Sequence, residues 1–356
     1  MRDGNKGEKK NMKKILAIVL AAMMLLAMTA CASSGNAPET TAPAAQAAQE
    51  TTPEAPETEA AAPAEKYVVG VCQLVPHAAL DAATQGFVDR LTELLGEENV
   101  DIQVKVAAGD SATCAPIVND FVAQEVDLIM ANATPALQSA AAATADIPIL
   151  GTSVTEYGVA MGIENFSGTV GGNISGTSDL APLDEQAAML KAWCPDAKTV
   201  GLLYCSAEAN SQYQVDTVQA YLEEMGYECT QYPFADSNDM AAVTQTAADN
   251  SDVLYVPTDN TVASGTGIVD GICQPAGIPV IAGEEGICGG CGIATLSISY
   301  YDLGVKTAEM AAQILTGEAD VSTMPIAYAD TFSPKYNAAI CEALNITPLD
   351  GYEPIA

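Results

Sequence analysis

Several residues in this chain of 356 have the type and placing to hold a small charged molecule. Thr134-Pro135 opens a helix, with Thr134 as N-cap and Pro135 at the first helical position. Free backbone N–H groups, the positive end of the helix dipole and a hydroxyl suit a carboxylate without any arginine. Plain capping explains the same two residues equally well. Ser206 and Asn210 stand at a second strand-to-helix turn and carry the same two readings, ligand contact or cap. Asp259 and Asn260 follow a buried strand at its carboxyl end. A carboxylate there accepts a charge-assisted bond from an ammonium group, or serves an Asx turn or helix cap. Ser153 follows another strand by three residues, and Ser178 and Asp179 lie in a connection where hinge roles compete with ligand contact.

Covalent chemistry finds little support. His77 is the sole histidine, and a hydrolase triad would need it beside a nucleophile and an orienting acid. No G-x-S-x-G elbow accompanies it, and no G-x-x-x-x-G-K-[ST] loop exists to hold ATP. His77 remains open between bonding a ligand, sensing pH and being satisfied by backbone at a helix start. Cys288-Gly289-Gly290-Cys291 is the one C-x-x-C, which a thiol oxidoreductase would use. Its Gly-rich flanks and the strand after it do not resemble the helix start that activates such a thiol. A zinc site would need two further ligands, and none is spaced for it. Nine of the ten cysteines lie beyond Cys31, an odd number, so free thiols or one local disulfide are expected. The expectation is no enzyme, no cofactor and no metal.

These residues are carried by alternating elements. Tyr67–Val75 is an apolar run suited to a strand buried on both faces. A helix follows over 77–95, closed by Gly96, then a strand at 102–106, a helix at 111–124 and a strand at 126–130. The helix at Thr134 and a strand at 147–150 complete a first set. After a Gly-rich stretch, 168–176, the alternation restarts with strands at 199–204, 228–232, 252–256, 278–281 and 293–297. Helices fall at 209–225 and 238–248, and two more at 302–315 and 335–344. The fold class predicted is α/β: two doubly wound, Rossmann-like lobes with a hinge and an interlobe cleft. In open parallel sheets ligands bind beyond the carboxyl ends of the strands, which would line that cleft.

Charge narrows the partners. Thirteen Lys and Arg stand against 46 Asp and Glu, a net charge of -33, which excludes a phosphate-gripping surface and so nucleic acid. It also disfavours an electrostatic hold on anionic lipid. The cations concentrate at the start: Arg2, Lys6, Lys9, Lys10, Lys13 and Lys14 precede an apolar run, Ile15–Met28. That run is too short to span a bilayer but suits a secretory signal over residues 1–30. Ala27-Met28-Thr29-Ala30-Cys31 resembles a bacterial lipobox, so Cys31 is expected to be lipidated and to anchor the chain to the membrane from outside the cytoplasm. Residues 31–65, rich in Ala, Thr, Pro and Glu, hold no bulky hydrophobe and read as a tether. Residues 66–175 plus 302–356 are assigned to lobe 1 and 176–301 to lobe 2.

Specific stretches resemble the tryptophan/tyrosine-type substrate-binding lipoproteins of ABC importers. They are Gly70–His77 with Leu80-Asp81, Ala133–Ala136, Asn173–Asp179, Tyr204–Ser211, Val256–Gly265 and Tyr301–Gly304, in order along residues 67–346. The resemblance implies a type I periplasmic-binding fold whose chain crosses between lobes three times. It implies capture of a small solute, in relatives an aromatic amino acid, for delivery to an ABC permease and its ATPase subunits. A monomer is expected. On this view Thr134, Ser153, Asp179, Ser206, Asn210, Asp259 and Asn260 face a zwitterion, Asp259 taking its ammonium. Relatives often carry an aromatic residue where this chain has Leu74. The alternatives are a sensor subunit that reports occupancy to a receptor, or a binding protein for a nucleoside or sugar.

Overall fold

The computed structural model describes residues 66–329 and 331–355, all within one compact unit. The signal, the tether and Cys31 lie outside the described residues. From Tyr67 the chain runs β1 (Tyr67–Gln73), α1 (Ala78–Leu95), β2 (Val100–Val106), α2 (Ser111–Ala123), β3 (Leu128–Asn132), α3 (Thr134–Ala143), β4 (Ile149–Val154), α4 (Tyr157–Met161) and β5 (Ile174–Ser178). The strands lie in the order β2-β1-β3-β4-β5, every pair parallel. Residues of β1, β3 and β4 are buried on both faces, which is why they read as continuous apolar runs.

The pattern repeats with α5 (Leu183–Trp193), β6 (Thr199–Cys205), α6 (Ala209–Glu224), β7 (Glu228–Phe234), α7 (Ser237–Asp249), β8 (Val253–Val256), α8 (Asn260–Ser264), α9 (Thr266–Ala276), β9 (Val280–Ala282), α10 (Glu285–Cys291) and β10 (Ala294–Ser297). The order β7-β6-β8-β9-β10 copies that of the first sheet. Both sheets therefore reverse direction between their first and third strands, the switch point at which such sheets place their ligands.

The remaining chain is shared. After α11 (Tyr300–Leu315), β11 (Ala327–Tyr328) adds to β5 in the first sheet. Beyond it β12 (Ser333–Tyr336), α12 (Ala338–Ala343) and β13 (Glu353–Pro354) join the second lobe, β12 pairing antiparallel with β10. The chain thus passes between lobes after Ser178, after Ser297 and between Tyr328 and Ser333. Three expectations are corrected here. Residues 333–355 belong to the second lobe rather than the first, because Trp193 packs on Tyr336 and Tyr352 (centroids 6.3 and 5.0 Å) and Ile340 and Cys341 enter that core. The helix expected over 335–344 begins only at Ala338, since Lys335 and Tyr336 are drawn into the sheet. Likewise β5 extends to Ser178, so the lobe boundary expected at 176 falls at Asp179.

The strongest helix contact brings α1 against α11. A Cβ on Gly86 would sit 2.1 Å from the Tyr301 carbonyl oxygen, and one on Gly304 would sit 2.0 Å from that of Ala83. Two glycines facing each other's backbone let the helices approach so closely. The contact fixes the first turn of α11, and with it Tyr300, at the base of the cleft.

Candidate functional site

The carboxyl ends of the two sheets meet around a narrow cavity lined by both lobes. From the first lobe come His77 and Leu80 at the start of α1, Ser153 and Thr155 at the end of β4, and Tyr300. Asp179 stands in the first crossing. From the second lobe come Asn210, Thr258, Asp259, Asn260, Ala263 and Glu284. Among the described residues no Lys or Arg lines the cavity. Toward the hinge it abuts a recess of about 750 Å³, walled by Ala79, Glu284 and Tyr300 and carrying the Lys335–Glu285 ion pair at 2.6 Å.

Three carboxylates lie in the wall, each nearly sealed from water. Asp179 Oδ2 accepts from the Tyr300 hydroxyl at 2.9 Å, while its Oδ1 is buried with no partner. Burial raises its pKa above the ordinary value, the Tyr300 bond opposing. Glu284 caps α10, accepting from the N–H of Gly286 at 2.6 Å and of Ile287 at 2.5 Å. Burial nevertheless pushes its carboxyl up to about 7. Asp259 caps α8 through Val262 N–H at 2.9 Å and takes Cys205 N–H at 2.7 Å. Burial first, and then the charge of Glu208, raise it.

Glu208 forms a layer behind this wall. Its Oε1 accepts from Thr261 N–H and hydroxyl at 2.9 and 2.8 Å. Its Oε2 accepts from Asn260 N–H and Nδ2 at 3.1 and 2.6 Å and from Asn210 Nδ2 at 3.2 Å. Asn210 Nδ2 also donates to the Thr258 carbonyl at 3.0 Å, leaving its Oδ1 buried and unpartnered. The Ser153 hydroxyl is likewise orphaned, on a residue held at φ 54°. Buried polar atoms normally find partners, and several of those without one gather on this cavity.

Five of the seven residues expected at the site line this cavity: Ser153, Asp179, Asn210, Asp259 and Asn260. Asp259 does so with each carboxylate oxygen accepting one backbone N–H, whereas Asp179 keeps one oxygen without a partner. Thr134 does not line it and is not the N-cap. Ala133, at φ 97°, holds that position, and Thr134 is the first helical residue with its hydroxyl buried and unpartnered. Ser206 is exposed and donates to the Phe234 carbonyl at 3.1 Å, away from the cavity. Leu74 is wholly buried in the first lobe's core, so the residue type there does not touch the cavity wall.

Sequence reading missed Glu208, Glu284, Thr155 and Tyr300. The first two follow the carboxyl ends of β6 and β9, where the switch-point rule alone would have found them. Cys288 and Cys291 lie inside α10 rather than on a loop, both buried. Burial raises both thiol pKa values, opposite to the depression that makes a thiol nucleophilic.

Two lobes of the same parallel topology, joined by three crossings and bordering an acid-walled cavity, have the build of a solute-binding protein. The chain belongs to the ABC transporter substrate binding protein family, whose model matches residues 68–350. It is 35% identical over 283 residues to the tyrosine-binding protein of Clostridioides difficile strain R20291, covering 79% of this chain and 81% of that one. Among solved structures it resembles the ABC domain from Streptococcus pneumonia in complex with L-Trp (TM-score 0.77, 32% identity, 82% of this chain and 100% of that). It also resembles the ligand-free, open structure of a substrate-binding protein with adhesive properties from Clostridium difficile (TM-score 0.62, 39% identity, 81% and 99%). The protein is the substrate-binding component of an ABC transporter, working outside the cytoplasm with a small molecule and a permease as its partners.

Proposed function

We propose that the solute is an aromatic amino acid, tyrosine, tryptophan or phenylalanine, captured by closure of the two lobes about the three crossings. The observation that carries this is the free Oδ1 of Asp179, a buried carboxylate oxygen aimed at the cavity with no partner. An α-ammonium group satisfies it with a charge-assisted bond, and Asn210 Oδ1 offers a second acceptor. The Ser153 hydroxyl takes the carboxylate, in keeping with a described lining that has no Lys or Arg. The tyrosine-binding relative and the L-Trp complex support the side-chain class. The higher TM-score to the L-Trp complex than to the open structure, despite lower identity, supports closed lobes here. Closure then works by population shift, the solute favouring the state in which both faces reach it.

The reading includes lipidation at Cys31, with residues 31–65 as leash, and a monomeric body. Titration calorimetry with L-tyrosine, L-tryptophan and L-phenylalanine tests the solute. Heat from at least one of them is expected, and flat traces for all three remove the aromatic assignment. Cys31→Ser should release the protein from the membrane fraction; retention would remove the anchor.

A further inference from the structure

The single histidine of the chain stands in the cavity wall with one ring nitrogen engaged and the other idle. His77 is the N-cap residue of α1 but its side chain makes no capping bond, and its Nε2 lies 3.2 Å from Asn260 Oδ1 across the cleft. The second lobe decides which nitrogen carries the proton. Glu208 Oε2 can only accept, and it receives Asn260 Nδ2 at 2.6 Å. Turning that amide over would set two acceptors against each other, so Asn260 must present its oxygen to His77. Nε2 is therefore the donor. The neutral ring is left with a lone pair on Nδ1, which is buried and has no partner. Burial holds the imidazole pKa below its ordinary value, with the Asn260 bond and the charges of Glu208 and Asp81 opposing.

We propose that His77 Nδ1 is an acceptor for a hydrogen-bond donor on the solute, and that Glu208, acting through Asn260, is a positioning residue that fixes this by choosing the ring tautomer. The proposal rests on reading the cavity as the solute site and adds to it a specificity element. The donor is an N–H or O–H group, either the α-ammonium or a phenol or indole in the side chain. A solute without such a group would leave the lone pair buried and unmet, a penalty that polar sites use to reject close analogues. Acid reverses the preference. When the ring takes a second proton, Nδ1 becomes a donor and repels the solute's own. The acidic groups facing the ring are Asp81 on its own helix, Glu208 and Asp259 from the second lobe, Asp179 from the crossing and Glu284 after β9.

The test begins with ¹⁵N-histidine-labelled protein, in which one ring gives both signals. At neutral pH Nε2 should be protonated and Nδ1 bare, with Nδ1 moving on addition of L-tyrosine; a protonated Nδ1 overturns the proposal without reference to any solute. Glu208→Gln, which weakens the hold on Asn260, should mix the tautomers. Calorimetry then compares wild type with His77→Phe, which keeps a ring, and with His77→Asn, which restores a polar group near the Nδ1 position. For His77→Phe the affinity for L-tyrosine should fall about ten- to a hundredfold, and His77→Asn should recover part of it. Thermal melts confirm that both variants fold. Equal losses for L-tyrosine and L-phenylalanine assign the donor to the ammonium, a loss confined to L-tyrosine assigns it to the phenol, and no loss for either overturns the proposal. If wild type ignores all aromatic amino acids, the aromatic reading fails separately, and the variants are read on the solute that a panel of nucleosides and neutral sugars identifies. The acid-induced loss of affinity should shrink in His77→Phe.

Discussion

Tyr300 and Asp179 join the first residue of one interlobe helix to the first residue of the crossing beside it, hydroxyl to carboxylate at 2.9 Å, both buried. The bond leaves one oxygen of Asp179 engaged and turns the other to the cavity. It therefore ties the hinge to the solute-facing wall through a single carboxylate.

Tyr300→Phe removes the hydroxyl that donates to that oxygen and weakens the bonding of a buried carboxylate. It should lower stability by about 1–3 kcal/mol and raise the Asp179 pKa further. Urea unfolding, with the midpoint shifted at an unchanged slope, checks the first. Asp179→Asn keeps the shape but not the charge, and solute affinity should fall at least about tenfold in calorimetry.

Stability should decline as pH rises toward neutrality, with Glu284 as one cause. Its folded carboxyl sits near 7, above the unfolded value of 4.5, so the folded state holds a proton that the unfolded state gives up first. The contribution is whole below about pH 4.5 and is lost as pH passes through about 7, an effect of up to about 3 kcal/mol. Melting temperatures from pH 4 to 8 should show a shallower fall in Glu284→Gln than in wild type. Equal slopes would remove this assignment.

Gly304→Ala should cost about 1–3 kcal/mol, because its Cβ would enter the backbone of α1 at Ala83. A melting temperature at or above that of wild type would contradict the close approach.

The thiols of Cys288 and Cys291 should resist alkylation in the folded protein and react once it is denatured, since burial keeps them protonated. Replacing both with serine should leave solute binding within a few-fold of wild type, as neither lines the cavity. Loss of binding in a folded double variant would reopen a role for the pair.

The sheets were legible because parallel strands covered on both faces leave unbroken apolar runs, and β1, β3, β4, β6 and β8 are such strands. The end of the chain was not. Lys335 and Tyr336 have helix-compatible neighbours, and only the distant β10 makes them a strand. The same limit governs the site. Strand ends located Asp179, Asn210, Asp259 and Asn260, but the direction of a side chain at a turn is set by its tertiary neighbours. Thr134 and Ser206 therefore look alike in sequence to Ser153, which alone of the three lines the cavity. Glu208 escaped notice because its role is carried by four backbone and side-chain donors from residues 260 and 261, about fifty positions away.

The late return of the chain to each sheet has a consequence for how the protein is made. The first lobe lacks α11 and β11 until residue 328 is in place, and the second lacks β12 and β13 until residue 354. No single cut yields a complete lobe, and contacts far apart in sequence must close before either core is sealed, which slows folding. A chain arranged in this way completes neither half until its C-terminal strands are in place.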